Sequence, residues 1–84
     1  MDKDEVFERV CEVTSDVLGV QTQDITPESR FVEDLGAESI QSVELVAAFE
    51  EEFEIEMDEE AALQVRDVGT AVDFIVEVIE QQSQ

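Results

Sequence analysis

Histidine is absent from this chain of 84 residues, and cysteine occurs once, as Cys11. Without histidine, no serine or cysteine can pair with an imidazole base, and a zinc cluster lacks its usual ligands. Basic residues are also scarce, because four Lys and Arg stand against 24 Asp and Glu, for a formal net charge of -20. Nucleic acids and anionic membrane surfaces both require Lys and Arg contacts. These absences predict a protein that is not an enzyme, holds no metal and binds no nucleic acid.

Long apolar runs are missing too, and no stretch approaches the length of a membrane span, so no membrane insertion is expected. The N-terminus is acidic, whereas a signal peptide begins with basic residues. A single cysteine cannot form the internal disulfides that stabilise many small secreted domains. At 84 residues the chain has room for one modest core. We therefore expect one domain over residues 1–84, working as a monomer in the cytoplasm.

The apolar residues of the first segment recur at helical spacing. Valines are found at three- and four-residue steps, at Val6, Val10, Val13 and Val17. This periodicity predicts an amphipathic helix over residues 3–18. Asp2 can cap its first turn, and Gly19 is a natural stop. Because Cys11 lies on the apolar stripe, we expect a buried, unreactive thiol.

Residues 19–38 show no sustained helical period, and a loop of this length needs contacts of its own to stay ordered. Four apolar residues at wide spacing can provide them, namely Val20, Ile25, Phe31 and Leu35. The segment Thr26-Pro27-Glu28 is typical of a turn, or of a single helical turn with proline at its first position. We predict a tethered loop and not a flexible linker.

The rest of the chain predicts three further helices. They cover residues 39–53, residues 59–65, and a segment that begins near Asp67, whose carboxylate can cap it. The residues expected to face inward from the second helix are Ile40, Val43, Val46 or Ala47, Phe49 or Ala48, and Phe53. Residues from Gln81 onward are expected to fray. Nothing indicates strands, so the predicted fold is all-α, a small four-helix bundle of three longer helices and one short helix with a long first loop.

The most specific pattern lies just before the second helix. It reads Phe31-Val32-Glu33-Asp34-Leu35-Gly36-Ala37-Glu38-Ser39-Ile40. It displays Ser39 at a helix start, after a glycine-containing turn and without a base to activate it. Such a serine can be a plain helix cap or a hydroxyl that another protein modifies. The helix continues with Val43-Glu44-Leu45-Val46 and Glu50-Glu51-Glu52-Phe53. The whole pattern resembles the signature of the acyl carrier protein family, in which Asp-Ser-Leu follows an Asp-Leu-Gly turn.

The resemblance implies that a separate phosphopantetheinyl transferase, with Mg²⁺, attaches 4′-phosphopantetheine from coenzyme A to Ser39. The thiol of this arm would carry acyl groups as thioesters, for fatty acid, lipid or polyketide-type biosynthesis. Acyl carrier proteins present an acidic second helix to basic-surfaced enzymes such as synthases, reductases and acyltransferases. The residues expected to serve partner recognition are Asp34, Glu38, Ile40, Glu44, Glu50 and Glu51. Such charges steer encounter and partner choice more than they tighten binding.

In this family a growing acyl chain can also enter the space between the helices, mainly beside the second and third. The residues expected to bound an acyl pocket here are Val43, Ala47, Phe49, Ala62, Leu63 and Ile75. The small alanines can leave room for a chain, or their neighbours can close in on them.

The residues around Ser39 bear on how it would accept a phosphodiester. Gly36 permits backbone geometry that a residue with a Cβ resists, and Ala37 is expected to leave the approach to the serine unobstructed. A helix N-terminus favours a negative charge. Three nearby carboxylates oppose that charge, those of Glu33, Asp34 and Glu38.

Two departures from the family pattern flank the serine. Glu38 replaces the usual Asp, and the β-branched Ile40 replaces the usual Leu. Both lie where partner enzymes read the carrier, so a specialised pathway is an open alternative to housekeeping fatty acid synthesis. A carrier of aminoacyl or peptidyl groups with the same fold is a second alternative. A third is an acidic helical interaction module with no prosthetic group. A calcium-binding form of that module is disfavoured, because residues 50–60 lack the glycine that an EF-hand loop requires.

Overall fold

In the computed structural model, which describes residues 1–82, the chain forms four α-helices and one 3₁₀ turn. Their bounds are α1 Lys3–Leu18, the 3₁₀ turn Thr22–Asp24, α2 Ser39–Phe53, α3 Glu59–Leu63 and α4 Val68–Gln82. α1 packs against both α2 and α4, and α3 packs against α2. The described residues contain no strand, only an isolated bridge between Arg30 and Asp67. The all-α prediction is confirmed. No helix in the described range is long and apolar enough to cross a bilayer.

α1 begins and ends where the local sequence predicts. The Asp2 carboxylate accepts a hydrogen bond of 2.9 Å from the Glu5 N–H, and the chain leaves the helix at Gly19 with a φ of 73°. The buried residues of α1 are Val6, Val10, Cys11, Val13 and Thr14. Burial raises the pKa of the Cys11 thiol, and neighbouring carboxylates on α1 raise it further. The prediction of a buried thiol is confirmed, and the raised pKa keeps the thiol protonated at neutral pH.

The bounds of α2 are also as predicted, but the face that it buries is different. Its buried residues are Leu45, Val46, Phe49 and Phe53. Ile40 and Val43 were expected to face inward, yet they are 68% and 44% exposed, and Ala47 is exposed as well. The leucine and the two phenylalanines lie at four-residue steps and are larger than the residues of the competing face. Burying them removes more apolar surface from water, which explains why the predicted stripe is wrong at Ile40 and Val43. Of the two alternatives Val46 and Ala47, Val46 is the buried one.

The loop over residues 19–38 is tied to the core, as predicted. Its anchors in the core or packed against it are Val20, Ile25, Phe31 and Leu35. The 3₁₀ turn at Thr22–Asp24 was not predicted. Residues 26–28 form a simple turn, closed by a hydrogen bond of 3.0 Å from the Ser29 N–H to the Thr26 carbonyl.

The same loop is fixed against the segment that leads into α4. The Phe31 N–H donates to the Arg66 carbonyl at 3.0 Å, and the Gly69 N–H donates to the Pro27 carbonyl at 2.8 Å. A Cβ at Gly69 would lie 3.0 Å from the Pro27 carbonyl oxygen, so this close approach favours glycine. Two loops that are distant in sequence are thereby held together beside the start of α4.

The helix ends near the C-terminus differ in part from the prediction. α3 ends at Leu63, whereas the predicted helix extends to residue 65. α4 begins beside Asp67, as predicted, because the Asp67 Oδ1 accepts a hydrogen bond of 2.7 Å from a backbone N–H of the first turn. The prediction that the helix frays from Gln81 is wrong for the described residues. The Gln82 side-chain amide donates to the Glu56 carbonyl at 2.7 Å and accepts from the Glu56 N–H at 3.1 Å. Residues 83–84 lie outside the described residues.

Candidate functional site

Ser39 is the first residue of α2, and its side chain is exposed. The helix cap is the preceding residue, Glu38, whose N–H donates to the Gln41 Oε1 at 2.9 Å. A capping serine would occupy that earlier position and accept a hydrogen bond from an N–H of the first turn. Within residues 1–82 the Ser39 hydroxyl has no hydrogen-bond partner. Its position therefore weakens the interpretation of Ser39 as a plain cap.

The turn before Ser39 is open on one side and anchored on the other. Gly36 has a φ of 75°, in the left-handed region that favours glycine. A Cβ at Gly36 would meet no atom within 4 Å beyond its chain neighbours, so this side of the turn is open. Ala37 is only 5% exposed and belongs to the core. Ala37 therefore anchors the turn, and the open side lies at Gly36; that Ala37 leaves the approach to Ser39 unobstructed stays a prediction.

Arg30 pairs with two of the carboxylates that precede Ser39. Its Nε lies 3.1 Å from the Asp34 Oδ2, which also accepts the Arg30 backbone N–H at 2.8 Å. Arg30 Nη1 lies 3.6 Å from the Glu33 Oε2. The hydrogen bonds from the Arg30 side chain and backbone lower the pKa of Asp34. Asp34 therefore closes the turn, and Arg30 offsets part of the negative charge on the segment that precedes Ser39.

The residues predicted for partner recognition divide into two groups. Four have exposed side chains on α2 or at its cap, namely Glu38, Ile40, Glu44 and Glu51. Asp34 and Glu50 have contacts within the fold that the sequence did not reveal. Glu50 is half-buried, and its Oε2 accepts a hydrogen bond of 2.9 Å from the Met57 N–H, which holds the α2–α3 connection. Which of these residues a partner contacts stays a prediction.

Val43 is a surface residue that the sequence interpretation placed in the interior. It lies three residues after Ile40, so the two exposed apolar side chains are neighbours on α2. The sequence did contain a signal of this exposure. α2 carries apolar residues on more than one face, so a single buried stripe cannot include them all. Together with Ser39, they make the first turns of α2 a partly apolar surface.

A cavity of about 230 Å³ lies between α2, α3 and α4. Four of the residues predicted for an acyl pocket line it, namely Phe49, Ala62, Leu63 and Ile75. Val43 and Ala47 do not, because α2 turns both toward solvent, and Leu45 and Val46 line the cavity in their place. The sequence interpretation missed the other apolar lining residues, which are Phe31, Val32, Met57, Val65, Ala71 and Phe74. Occupation of this cavity by an acyl chain stays a prediction.

The carboxylates of the chain do not gather into a metal site within the described range. No group of three or more His, Cys, Asp or Glu side chains among residues 1–82 is arranged to hold a metal ion. The candidate attachment point for a prosthetic group is a covalent one, the Ser39 hydroxyl. Its exposure and the open space beside Gly36 both fit a bulky phosphodiester substituent.

Comparisons with known proteins agree with this geometry. A family model described as the phosphopantetheine attachment site matches residues 8–75, a span that includes all of α2 and α3. Among solved structures, the acyl carrier protein from Enterococcus faecalis is similar with a TM-score of 0.76 and 33% sequence identity. That similarity covers 93% of this chain and 99% of the other. Both matches span the turn, Ser39 and most of the helical bundle.

Proposed function

Since this chain belongs to the acyl carrier protein family, we propose that Ser39 carries the family's prosthetic group and that the protein is a carrier and not a catalyst. Phosphopantetheine is the prosthetic group that is attached to this type of domain. One observation carries the assignment to Ser39. Its hydroxyl is exposed at the first position of α2 and has no hydrogen-bond partner within residues 1–82.

Attachment needs an accessible oxygen and an external base. The Ser39 oxygen forms a bond to the phosphorus nearer the pantetheine of coenzyme A, and the pyrophosphate bond breaks. Adenosine 3′,5′-bisphosphate leaves with the electron pair of that bond, and a phosphopantetheinyl transferase with Mg²⁺ accepts the serine proton. This chain has no histidine that could take the proton itself.

The chain's own residues moderate the charge at the attachment point. The N-terminus of α2 directs backbone N–H groups and the positive end of the helix dipole toward an anion on Ser39. Arg30 draws Glu33 and Asp34 into ion pairs, which reduces their repulsion of a phosphate. Glu38 has no ion pair within the described residues and opposes the anion. The site therefore tolerates the phosphodiester without enclosing it.

The cavity is the proposed binding site for the cargo. When bound, the arm supplies a thiol that holds an acyl group as a thioester. Ser42 lines the cavity and lies three residues after Ser39 on the same helix face. The cavity is therefore within one helical turn of the attachment point. We propose that its apolar lining, which includes Phe49 and Ile75, receives the acyl chain and keeps it out of water.

The exposed surface of α2 supports docking of acyl-processing enzymes. We propose that Glu38, Glu44 and Glu51 face basic patches on the transferase and on synthases, reductases and acyltransferases, while Ile40 and Val43 supply apolar contact. Each exposed ion pair is worth only about 0.2–1 kcal/mol. Several together direct encounter and orientation, and they still allow release. A carrier that visits one enzyme after another requires such reversible docking.

We assign the cargo to acyl groups of fatty acid, lipid or polyketide-type biosynthesis. The strong acidity favours this over an aminoacyl or peptidyl cargo. The Glu38-Ser39-Ile40 triplet favours a specialised pathway, because it differs from Asp-Ser-Leu at the surface that partner enzymes read. Glu38 keeps the negative charge of Asp but displaces it by a methylene, and the β-branched Ile40 presents a different apolar shape from Leu.

The test is loading of the apo protein with coenzyme A, Mg²⁺ and a broad-specificity transferase, followed by intact mass. The wild type should gain the mass of one phosphopantetheine, and Ser39→Ala should gain none. The matched control is Ser42→Ala, which removes a hydroxyl one turn away on the same helix and should load normally. Circular dichroism should be unchanged in both variants.

Loading of Ser39→Ala would move the attachment site elsewhere. Failure of every transferase on the wild type would support the interaction module without a prosthetic group. The intact mass of protein purified from its own cells separates the remaining alternatives, since an acyl cargo and an aminoacyl cargo add different masses.

A further inference from the structure

One of the four Lys and Arg side chains of this acidic chain has no ion pair with any of the residues that the structure describes. Three of them form ion pairs, Lys3 with Asp73 at 2.9 Å, Arg9 with Glu5 at 3.3 Å, and Arg30 with Asp34 at 3.1 Å. The fourth, Arg66, has an exposed side chain and no ion pair within residues 1–82. With 24 acidic residues in the chain, an unpaired guanidinium calls for an explanation.

The carboxylates nearest Arg66 in sequence and at the cavity are already engaged. Asp67 caps α4, with its Oδ1 2.7 Å from the Thr70 nitrogen. Glu33 also lines the cavity, and its Oε2 lies 3.6 Å from Arg30. Arg66 is therefore the cation at the cavity whose charge no side chain in the described residues balances.

Arg66 stands at the mouth of the cavity. The exposed lining residues define this mouth, and they are Val32, Glu33, Leu63 and Arg66. The interior of the cavity is formed by buried apolar side chains such as Phe49 and Ile75. The backbone of Arg66 is held in place, because its carbonyl accepts the Phe31 N–H at 3.0 Å.

The cavity that Arg66 borders is also within reach of Ser39. Ser42 lines the same cavity and follows Ser39 by one turn of α2, a distance of about 5 Å along the helix. A group tethered to Ser39 can therefore enter the cavity whose mouth carries Arg66. A guanidinium beside an apolar surface binds carboxylate or phosphate oxygens through paired N–H donors.

We propose that Arg66 is an anion-binding residue at the cavity mouth and that it holds an oxyanion of the tethered cargo. The oxyanion can belong to a carboxylate-bearing acyl group or to the phosphodiester of the arm itself. This proposal rests on the proposed function, because the anion reaches Arg66 only through attachment at Ser39. With a carboxylate-bearing acyl group as the ligand, Arg66 is a specificity-determining residue for cargo, and with either ligand it takes no part in any reaction.

The experiment loads the protein with three different groups. Phosphopantetheine alone, butyryl-phosphopantetheine and malonyl-phosphopantetheine are attached with a broad-specificity transferase, and intact mass confirms each product. Butyryl and malonyl are similar in size, but only malonyl ends in a carboxylate. The variants are Arg66→Gln, Arg66→Lys and the charge-matched control Lys3→Gln. The readouts are the melting temperature of each form and the ³¹P resonance of the phosphodiester.

For a carboxylate ligand, the malonyl form of the wild type should melt about 2–6 °C above the butyryl form, as expected for one charge-assisted contact in a small domain. That gap should disappear in Arg66→Gln, shrink in Arg66→Lys and persist in Lys3→Gln. For a phosphodiester ligand, Arg66→Gln should shift the ³¹P resonance and lower the melting temperature of all three loaded forms alike, relative to the apo protein, and Lys3→Gln should do neither.

Identical behaviour of Arg66→Gln and Lys3→Gln in every loaded form would overturn the proposal while leaving the carrier function intact. A protein that gains no mass at Ser39 would overturn both, because the anion would then have no tether. Arg66 is exposed, and far-UV circular dichroism of the apo variants checks that they fold.

Discussion

α4 and the first half of α2 use their apolar side chains in opposite ways. α4 buries Val68, Ala71, Val72 and Ile75 in the core, and its first turn is closed by Asp67. The first half of α2 leaves Ile40 and Val43 exposed beside Ser39. Folding stability explains the residues of α4. It does not explain apolar side chains that remain in water, and for these we have proposed contact with partner proteins.

The largest effect on stability is expected from a substitution on the buried face of α4. Ile75 is fully buried and lines the cavity, so Ile75→Ala should lower the free energy of unfolding by about 2–5 kcal/mol. Val43→Ala removes an exposed side chain and should change it by no more than about 0.5 kcal/mol. Urea unfolding of the apo protein measures both. Equal losses for the two variants would show that Val43 is part of the core.

A second prediction tests whether the exposed residues at the start of α2 affect recognition by the transferase. A transferase that normally serves Asp-Ser-Leu carriers should load Glu38→Asp/Ile40→Leu roughly tenfold faster in kcat/KM than the wild type, since two mismatches of about 1 kcal/mol each need not add fully. Ile40 is 68% exposed, so the change should leave the melting temperature nearly unaffected.

The control for this experiment is the pair of single variants, loaded in the same time course as the wild type. If all four proteins load at one rate, the altered triplet is neutral at this step, and the case for a specialised pathway loses its main support.

A third prediction concerns the start of α4. Asp67→Ala removes the cap and should cost about 0.5–2 kcal/mol at neutral pH. The hydrogen bonds to Thr70 lower the pKa of Asp67 below its ordinary value of 3.8. Its stabilising contribution is therefore complete above that value and lost as the pH falls through the lower pKa of the folded protein.

The pH dependence supplies the check on this prediction. The difference in unfolding free energy between wild type and Asp67→Ala should be full near neutral pH and should shrink below pH 3.8, toward the folded-state pKa. A difference that is unchanged at acid pH would mean that packing, and not the carboxylate cap, explains the loss.

The smallest effect is expected inside α1. Thr14 is fully buried, and its Oγ1 has no hydrogen-bond partner among the described residues. Thr14→Val has nearly the same shape and removes the unpaired hydroxyl, so it should stabilise the protein by about 1 kcal/mol or less. Thr14→Ser, which keeps the hydroxyl and loses a methyl group, should destabilise it. A loss of stability in Thr14→Val would reveal a partner for the hydroxyl, such as a buried water.

Much of the fold could be predicted because its signals are local. Asp2 bonds to the N–H three residues later, and Asp67 does the same at α4. Wide apolar spacing predicted that the loop over residues 19–38 is tethered. The features that the sequence did not reveal depend on distant contacts. Glu50 reads as a surface acid until the Met57 N–H is placed against it, and Gln82 reads as a frayed end until it meets Glu56.

The sequence by itself determines the order of the helices, the starts of α1, α2 and α4, and the motif around Ser39. It can do so because capping, periodicity and turn chemistry act over a few residues. The buried face of α2 is not, since its apolar residues permit more than one face and the choice depends on the surfaces of α1 and α3. The same holds for the cavity, whose lining comes from three helices and the three segments that connect or precede them. Whether a charged side chain is paired, as Lys3 is with Asp73, or has no ion pair within residues 1–82, as is the case for Arg66, depends on which distant groups the fold brings within reach.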